Sequence, residues 1–213
     1  MQTVDFYFDY SSTNSYFAAF MLPEICARHD AHVRWLPLHL AALFRGTGFD
    51  VMAMTPRKAR YLWRDHARYA EFTGLPFRKP SRFPIKTAQA LRATLAIPVL
   101  SDATMSLTDV SSLRHETDIQ RFAQAVFRAY WERDEDIARP EVIAKVARES
   151  GFDGERLIKL ADSPMARDAL ASVTEMATDR GVFGAPTFFV GDEMFWGKDR
   201  LDFVERLLER GQE

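Results

Sequence analysis

The chain has 213 residues, 47% of them hydrophobic and 27% charged, with a formal net charge of −2 and a single cysteine. That length suits one sizeable domain, or a small domain with an insertion, and the composition is that of a soluble globular protein. The charge gives no electrostatic reason to expect nucleic acid, no apolar run approaches membrane-spanning length, and lone Cys26 cannot form an internal disulfide.

Residues 4–8 (VDFYF) alternate apolar positions with Asp5 and Tyr7 and are rich in β-branched and aromatic side chains, which predicts a strand. The chain runs straight into Ser11-Ser12-Thr13-Asn14 and then an apolar stretch, predicting a helix over 15–28 that Pro23 kinks or divides. Residues 32–38 (HVRWLPL) read as a second strand, so the start is a βαβ unit with parallel strands and a right-handed crossover. A strand followed at once by a helix places Ser12 and Thr13 at a helix N-terminus. Unpaired N–H groups and the positive end of the dipole there stabilise an anion, whether phosphate, carboxylate or thiolate. A plain helix cap accounts for the same residues, and the stretch alone favours the cap.

From residue 40 the texture changes. Gly46-Thr47-Gly48 reads as a loop, and helices are predicted over 55–73, 87–95, 118–132, 140–150, 153–161 and 164–180. An extended connection carries Pro80 and Pro84, and 98–116 reads as a loop with at most one short helix. Strand texture returns at 186–190 (PTFFV), followed by a Gly191-Asp192 turn, a strand over 193–196 and an amphipathic helix over 199–210. The order βαβ, helical block, ββα implies an α/β protein with one four-stranded mixed sheet covered by helices. The five histidines show no metal-ligand spacing and no glycine-rich phosphate loop is present, so no metal is expected. The chain begins without a basic n-region, so no signal peptide is expected, and a cytoplasmic location follows.

Gly184-Ala185-Pro186-Thr187 opening the late hairpin, within this element order, resembles the thioredoxin fold with a large helical insertion, as in DsbA-like disulfide oxidoreductases and kappa-class glutathione transferases. The sequence most resembles the 2-hydroxychromene-2-carboxylate isomerases. The resemblance rests on DFYFDYSSTNSYFA at 5–18, GVFGAPTFFV at 181–190 and GDEMFWGKDRLDFVER at 191–206. It implies a discontinuous thioredoxin-like domain over 1–40 and 181–213, with 41–180 as a helical insertion domain.

The resemblance also implies roles. Glutathione is the expected cofactor, with Ser12 standing where the disulfide enzymes carry a reactive cysteine and donating a hydrogen bond to the glutathione thiolate. Ser11 is the adjacent alternative, and Thr13, where many relatives have proline, can share the role. Ala185, before a cis Pro186, would pair with the cysteinyl part of glutathione, although Pro186 also suits an ordinary first strand residue. Trp196, Gly197, Lys198 and Asp199 would hold the glutathione backbone, with Asp199 capping the last helix or accepting the γ-glutamyl ammonium. Trp196 closes a side of the groove or is simply core. Lys198 stands where relatives commonly have an amide. Substrate contacts would come from Leu43, Met52, Lys58, Tyr61 and Lys86, with Arg82 a further candidate cation, although a solvated basic face explains any one of these cations.

The implied reaction interconverts a 2-hydroxychromene-2-carboxylate and its trans-o-hydroxybenzylidenepyruvate. A small aromatic carboxylate is therefore the expected substrate and a homodimer the expected assembly, with neither nucleic acid nor membrane as a partner. Competing readings are a kappa-like glutathione transferase or peroxidase and a non-catalytic thioredoxin-fold binding protein. A thiol–disulfide oxidoreductase is disfavoured, because the helix start has no cysteine.

Overall fold

The computed structural model describes residues 2–45, 54–102, 104–107 and 115–211. Strand β1 (Thr3–Phe8) leads into helix α1 (Thr13–Arg28) and strand β2 (His32–Pro37). Helices α2 (Leu40–Leu43), α3 (Pro56–Thr73), α4 (Ala88–Ser101), α5 (Glu116–Trp131), α6 (Pro140–Glu149), α7 (Gly154–Ala161) and α8 (Pro164–Asp179) follow. The chain closes with β3 (Thr187–Val190), β4 (Glu193–Trp196), a 3-10 turn (Lys198–Arg200) and α9 (Leu201–Arg210). The strands form one mixed sheet in the order β2-β1-β3-β4. β1 runs parallel to β2 and antiparallel to β3, which pairs antiparallel with β4.

The sheet's aromatic face explains why β1 is central. Phe6 stacks on Phe188 with centroids 5.4 Å apart and meets Trp35 edge-on at 5.1 Å. Phe8 continues the cluster to Tyr10 and to Phe127 of α5. Each such ring removes a large apolar area from water, and truncating one to alanine typically costs about 3–5 kcal/mol. The other face of β1 carries Asp5, which is 5% exposed. Its carboxylate accepts from Arg34 of β2 at 2.7 Å and from Arg180, just after α8, at 2.7 Å.

Four elements depart from the sequence expectation. Helix α1 is undivided, with Pro23 inside it, and begins at Thr13 because the Ser12 side chain caps it. Helix α2 carries too few residues for any period to show. Helix α4 runs on to Ser101 through Pro98, so the start of the expected 98–116 loop is helical. The N–H that proline lacks removes one helical bond, and the burial of Leu95, Ala96 and Ile97 just before it offsets that loss, so the helix continues for three more residues. The last helix starts at Leu201, after the 3-10 turn. The expected Gly46-Thr47-Gly48 loop lies outside the described residues.

Candidate active site

The site is built at the C-terminal end of β1. There Asp9 fixes a turn, with its carbonyl accepting from the Ser12 N–H at 3.0 Å. Its carboxylate Oδ1 accepts from both the N–H and the hydroxyl of Ser11, each at 2.8 Å. Oδ2 accepts from the Leu40 N–H at 3.0 Å and the Thr87 hydroxyl at 3.2 Å. Asp9 is 1% exposed and has no ion-pair partner among the described residues. Four donors therefore compensate a carboxylate that no cation does, the arrangement a buried anion requires. One side chain thus joins the serine turn, the start of α2 and the start of α4. The sequence reading did not pick out Asp9 or Thr87, because a carboxylate that ties its own turn to two distant segments leaves no pattern along the chain.

Ser12 is the N-cap of α1. Its Oγ accepts from the Ser15 N–H at 3.1 Å and donates to the Ala185 carbonyl at 2.9 Å. The Ala185–Pro186 peptide is cis, as the resemblance implied, and Phe83–Pro84 is a second cis peptide that was not foreseen. Ser11 is turned to Asp9 instead, which separates the two serines by role: one is held by a carboxylate, the other spans the helix start and the proline loop. Thr13 is the first helical residue and is buried.

The proline loop is tied to the end of β4 by a bond from the Gly197 N–H to the Pro186 carbonyl at 2.9 Å. Gly197 has φ +101°, a backbone conformation that L side chains rarely adopt, and a Cβ there would also come within 2.6 Å of Asp199 Oδ1, so glycine suits this corner. Trp196 is 52% exposed and is not core. Its indole lies over Gly184, where a Cβ would meet Nε1 at 2.6 Å, and its ring packs 5.0 Å from Phe183. Asp199 does not cap α9; its carboxylate pairs with Arg200 at 2.9 Å. Lys198 lays its ammonium over the Tyr69 ring at 3.7 Å from the centroid. Burial draws its pKa below the ordinary lysine value, against the pull of Asp199 and Asp65.

The expected substrate-contacting residues are more scattered. Leu43 is buried in the core at the end of α2. Tyr61 is 60% exposed on α3, and Lys58 and Lys86 are exposed with no ion-pair partner among the described residues. Arg82 is paired with Asp136 at 3.6 Å. Met52 lies outside the described residues. Leu43 and Lys86 nevertheless sit on the two segments that Asp9 holds beside the serine turn.

Cys26 is buried on α1, well away from its N-terminus, and burial pushes its thiol up to about 12. A thiol so rarely ionised is a poor nucleophile. Burial likewise lowers His66 to about 4, with the charge of Lys198 adding to the effect, so its imidazole is neutral at physiological pH. Among the described residues no group of three His, Cys, Asp or Glu is arranged to hold a metal, and no helix is long and apolar enough to cross a membrane.

A mixed sheet in this order, with a serine-capped helix start facing a cis-proline loop, defines a thioredoxin-fold protein. A family model described as a DSBA-like thioredoxin domain matches residues 3–209, and the chain belongs to that family. It is 28% identical over 211 residues to the 2-hydroxychromene-2-carboxylate isomerase of Sphingobium xenophagum, covering 97% of this chain and 98% of that one. Glutathione S-transferase kappa 1 of Homo sapiens is 22% identical, with 97% of this chain and 91% of that one covered. A solved structure of a 2-hydroxychromene-2-carboxylate isomerase superposes with a TM-score of 0.80 at 27% identity, covering 98% and 95% of the two chains.

Proposed function

We propose that the protein is a glutathione-dependent isomerase acting on a 2-hydroxychromene-2-carboxylate or a close analogue. The observation that carries this reading is Ser12, whose hydroxyl sits at the N-terminus of α1 and bonds to the carbonyl before cis Pro186. An anionic sulfur arriving there meets the N-terminal N–H groups, the helix dipole and a hydroxyl donor together. All three favour thiolate over thiol and lower the thiol's pKa. For this, the hydroxyl rotates from the Ala185 carbonyl to the sulfur, and the freed carbonyl accepts the cysteinyl N–H of glutathione. The stretch Trp196, Gly197, Lys198 and Asp199 holds the rest of the tripeptide, and Asp9 keeps the serine turn in place.

In the reaction, the ring C–O bond of the cyclic hemiketal breaks as its hydroxyl proton passes to the phenol oxygen, giving the ring-opened cis keto acid, and the thiolate adds to the conjugated carbon–carbon double bond of that acid. A C–S bond forms while the electron pair moves to the keto oxygen as an enolate, leaving a carbon–carbon single bond. After rotation, the enolate collapses, the C–S bond breaks and the thiolate is regenerated. The serine assists a nucleophile that belongs to the cofactor, and glutathione is returned unchanged. The reading carries with it a cytoplasmic setting, a homodimer, and a division into a 1–40 and 181–213 unit with 41–180 inserted.

The test is glutathione titration of the purified protein, following thermal stability and the thiolate absorbance band, and then assay of the two isomers. Stabilisation, a thiolate signal at neutral pH and isomer interconversion at constant glutathione are expected. Net consumption of glutathione with conjugate formation would replace isomerase by transferase. Absence of binding at millimolar glutathione would leave a non-catalytic binding protein.

A further inference from the structure

We infer that Lys198 is an anchor for a carboxylate of the bound reactants, and that this lysine, rather than the exposed cations of the helical segment, sets the preference for an acidic ligand. The inference rests on the glutathione reading above and gives one of its residues a chemistry of its own.

A half-buried ammonium ordinarily has a counter-ion, because desolvating a charge without compensation is costly. Lys198 has no ion-pair partner among the described residues, and its ammonium lies over the face of Tyr69, 3.7 Å from the ring centroid. A ring face offsets only a part of that cost. The carboxylates around it are Asp65, Asp199 and Asp202. Asp65 and Asp199 act on the lysine only through space, Asp199 being paired with Arg200, and Asp202 is felt at Tyr69. The charge is therefore left to be met by something that arrives.

Its location says what. Gly197, directly before it, bonds to the Pro186 carbonyl, and the neighbouring Ala185 carbonyl is the acceptor of the Ser12 hydroxyl. Lys198 is thus fixed to the loop that faces the proposed thiolate position. The ammonium is also held in place: Tyr69 packs edge-on against Phe17 of α1 at 4.9 Å, and its hydroxyl lies 3.4 Å from the Met21 sulfur. A pre-positioned cation on a rigid seat loses little entropy when a carboxylate docks.

Two sources supply that carboxylate, glutathione itself and the aromatic keto acid. Lys198→Met keeps the length of the chain and its packing on Tyr69 while removing the charge, and Lys198→Arg keeps the charge. Glutathione affinity, measured by calorimetry alongside the monoethyl ester of its glycine carboxylate, forms one arm. The KM for the chromene carboxylate, measured at saturating glutathione and at two salt concentrations, forms the other. Loss of one charge-assisted contact predicts a roughly 10-fold or greater weakening in Lys198→Met, reduced salt dependence and recovery in Lys198→Arg.

Weaker glutathione binding that the ester no longer shows assigns the glycine carboxylate; weakening shared equally by the ester assigns the γ-glutamyl carboxylate. A raised KM with unchanged glutathione affinity assigns the substrate. Unchanged affinity and unchanged KM in a folded Lys198→Met protein would overturn the inference alone. Failure of the parent protein to bind glutathione would refute the underlying reading, and the inference with it.

Discussion

Asp9 is the side chain whose loss tests the architecture of the site most directly. Replacing it by alanine leaves the Ser11 and Leu40 N–H groups without their acceptor, while the Ser11 and Thr87 hydroxyls can rotate elsewhere. An orphaned donor that water cannot reach costs about 1–3 kcal/mol, so these two, both partly buried, cost at most about 2–6 kcal/mol. Part is returned because the variant no longer buries a carboxylate lacking an ion-pair partner. A net loss of about 3 kcal/mol is expected for Asp9→Ala, which for a chain of this size lowers Tm by roughly 6–12 °C. Asp9→Asn keeps one acceptor oxygen and orphans one N–H, so about 1–2 kcal/mol is expected. Thermal and urea denaturation of parent and variants at neutral pH measure both. If Asp9→Ala lies within about 0.5 kcal/mol of the parent, the range of an ordinary surface change, the four-donor account is wrong.

Ser12→Ala removes a cap worth about 1 kcal/mol as well as the hydroxyl, whereas Ser12→Gly removes the hydroxyl at a cost of a few tenths. Both are expected to lose about 10- to 1000-fold in turnover with a raised thiol pKa for bound glutathione; a glycine variant with the parent's pH–rate profile would remove this serine from the mechanism. Cys26 should react with alkylating reagents only on unfolding, and Cys26→Ala should keep full activity; rapid labelling of the native protein would contradict its burial. Glu116 accepts the Trp35 N–H at 3.3 Å, and burial pushes its carboxyl up to about 8, with Asp5 adding to the rise and the Trp35 bond and Arg34 opposing it. Its folded-state pKa lies above the unfolded value near 4.5. The folded protein therefore holds a proton the unfolded chain has lost, and this contribution to stability declines as pH rises from about 5 to 8. Glu116→Gln should flatten that decline in denaturation curves taken across the window, and an unchanged slope would show that the carboxyl is not its source.

The parts of the fold that sequence exposes are those with a period or a punctuation mark. β1 alternates, α1 follows it after four cap-forming residues, and the hairpin of β3 and β4 has Gly191-Asp192 at its turn. Ser12 was legible for the same reason, since strand, cap and helix are adjacent along the chain. Burial on almost every side of α1, from Tyr16 through Cys26, blurs its amphipathic period, yet its start remains clear. What stayed hidden depends on contacts between distant segments. Pro98 reads as a helix stop until the packing of α4 is known. Asp9 reads as the end of a strand until Leu40 and Thr87 are brought to it. Lys198 reads as a departure from a family pattern until its ammonium is seen on Tyr69. Trp196 at a strand end reads first as core, and only its exposure in the folded chain excludes that.

The pairing of β1 has a consequence for the order in which the molecule assembles. β1 meets β2 almost at once, but its other edge pairs Val4 with Val190 and Tyr7 with Thr187, and Asp5 receives Arg180 only at the end of the long helical segment. Closing so large a loop is entropically slow, and sheets that depend on distant partners complete late. While the ribosome is still synthesising the helices, a nascent chain presents Val4, Phe6 and Phe8 on a strand with one open edge, a template for pairing with another chain. The helices that wrap Phe8 and Tyr10 from α4 and α5 are made before β3. They give that strand an early cover on its aromatic face, and the open edge is sealed only when Thr187–Val190 emerges.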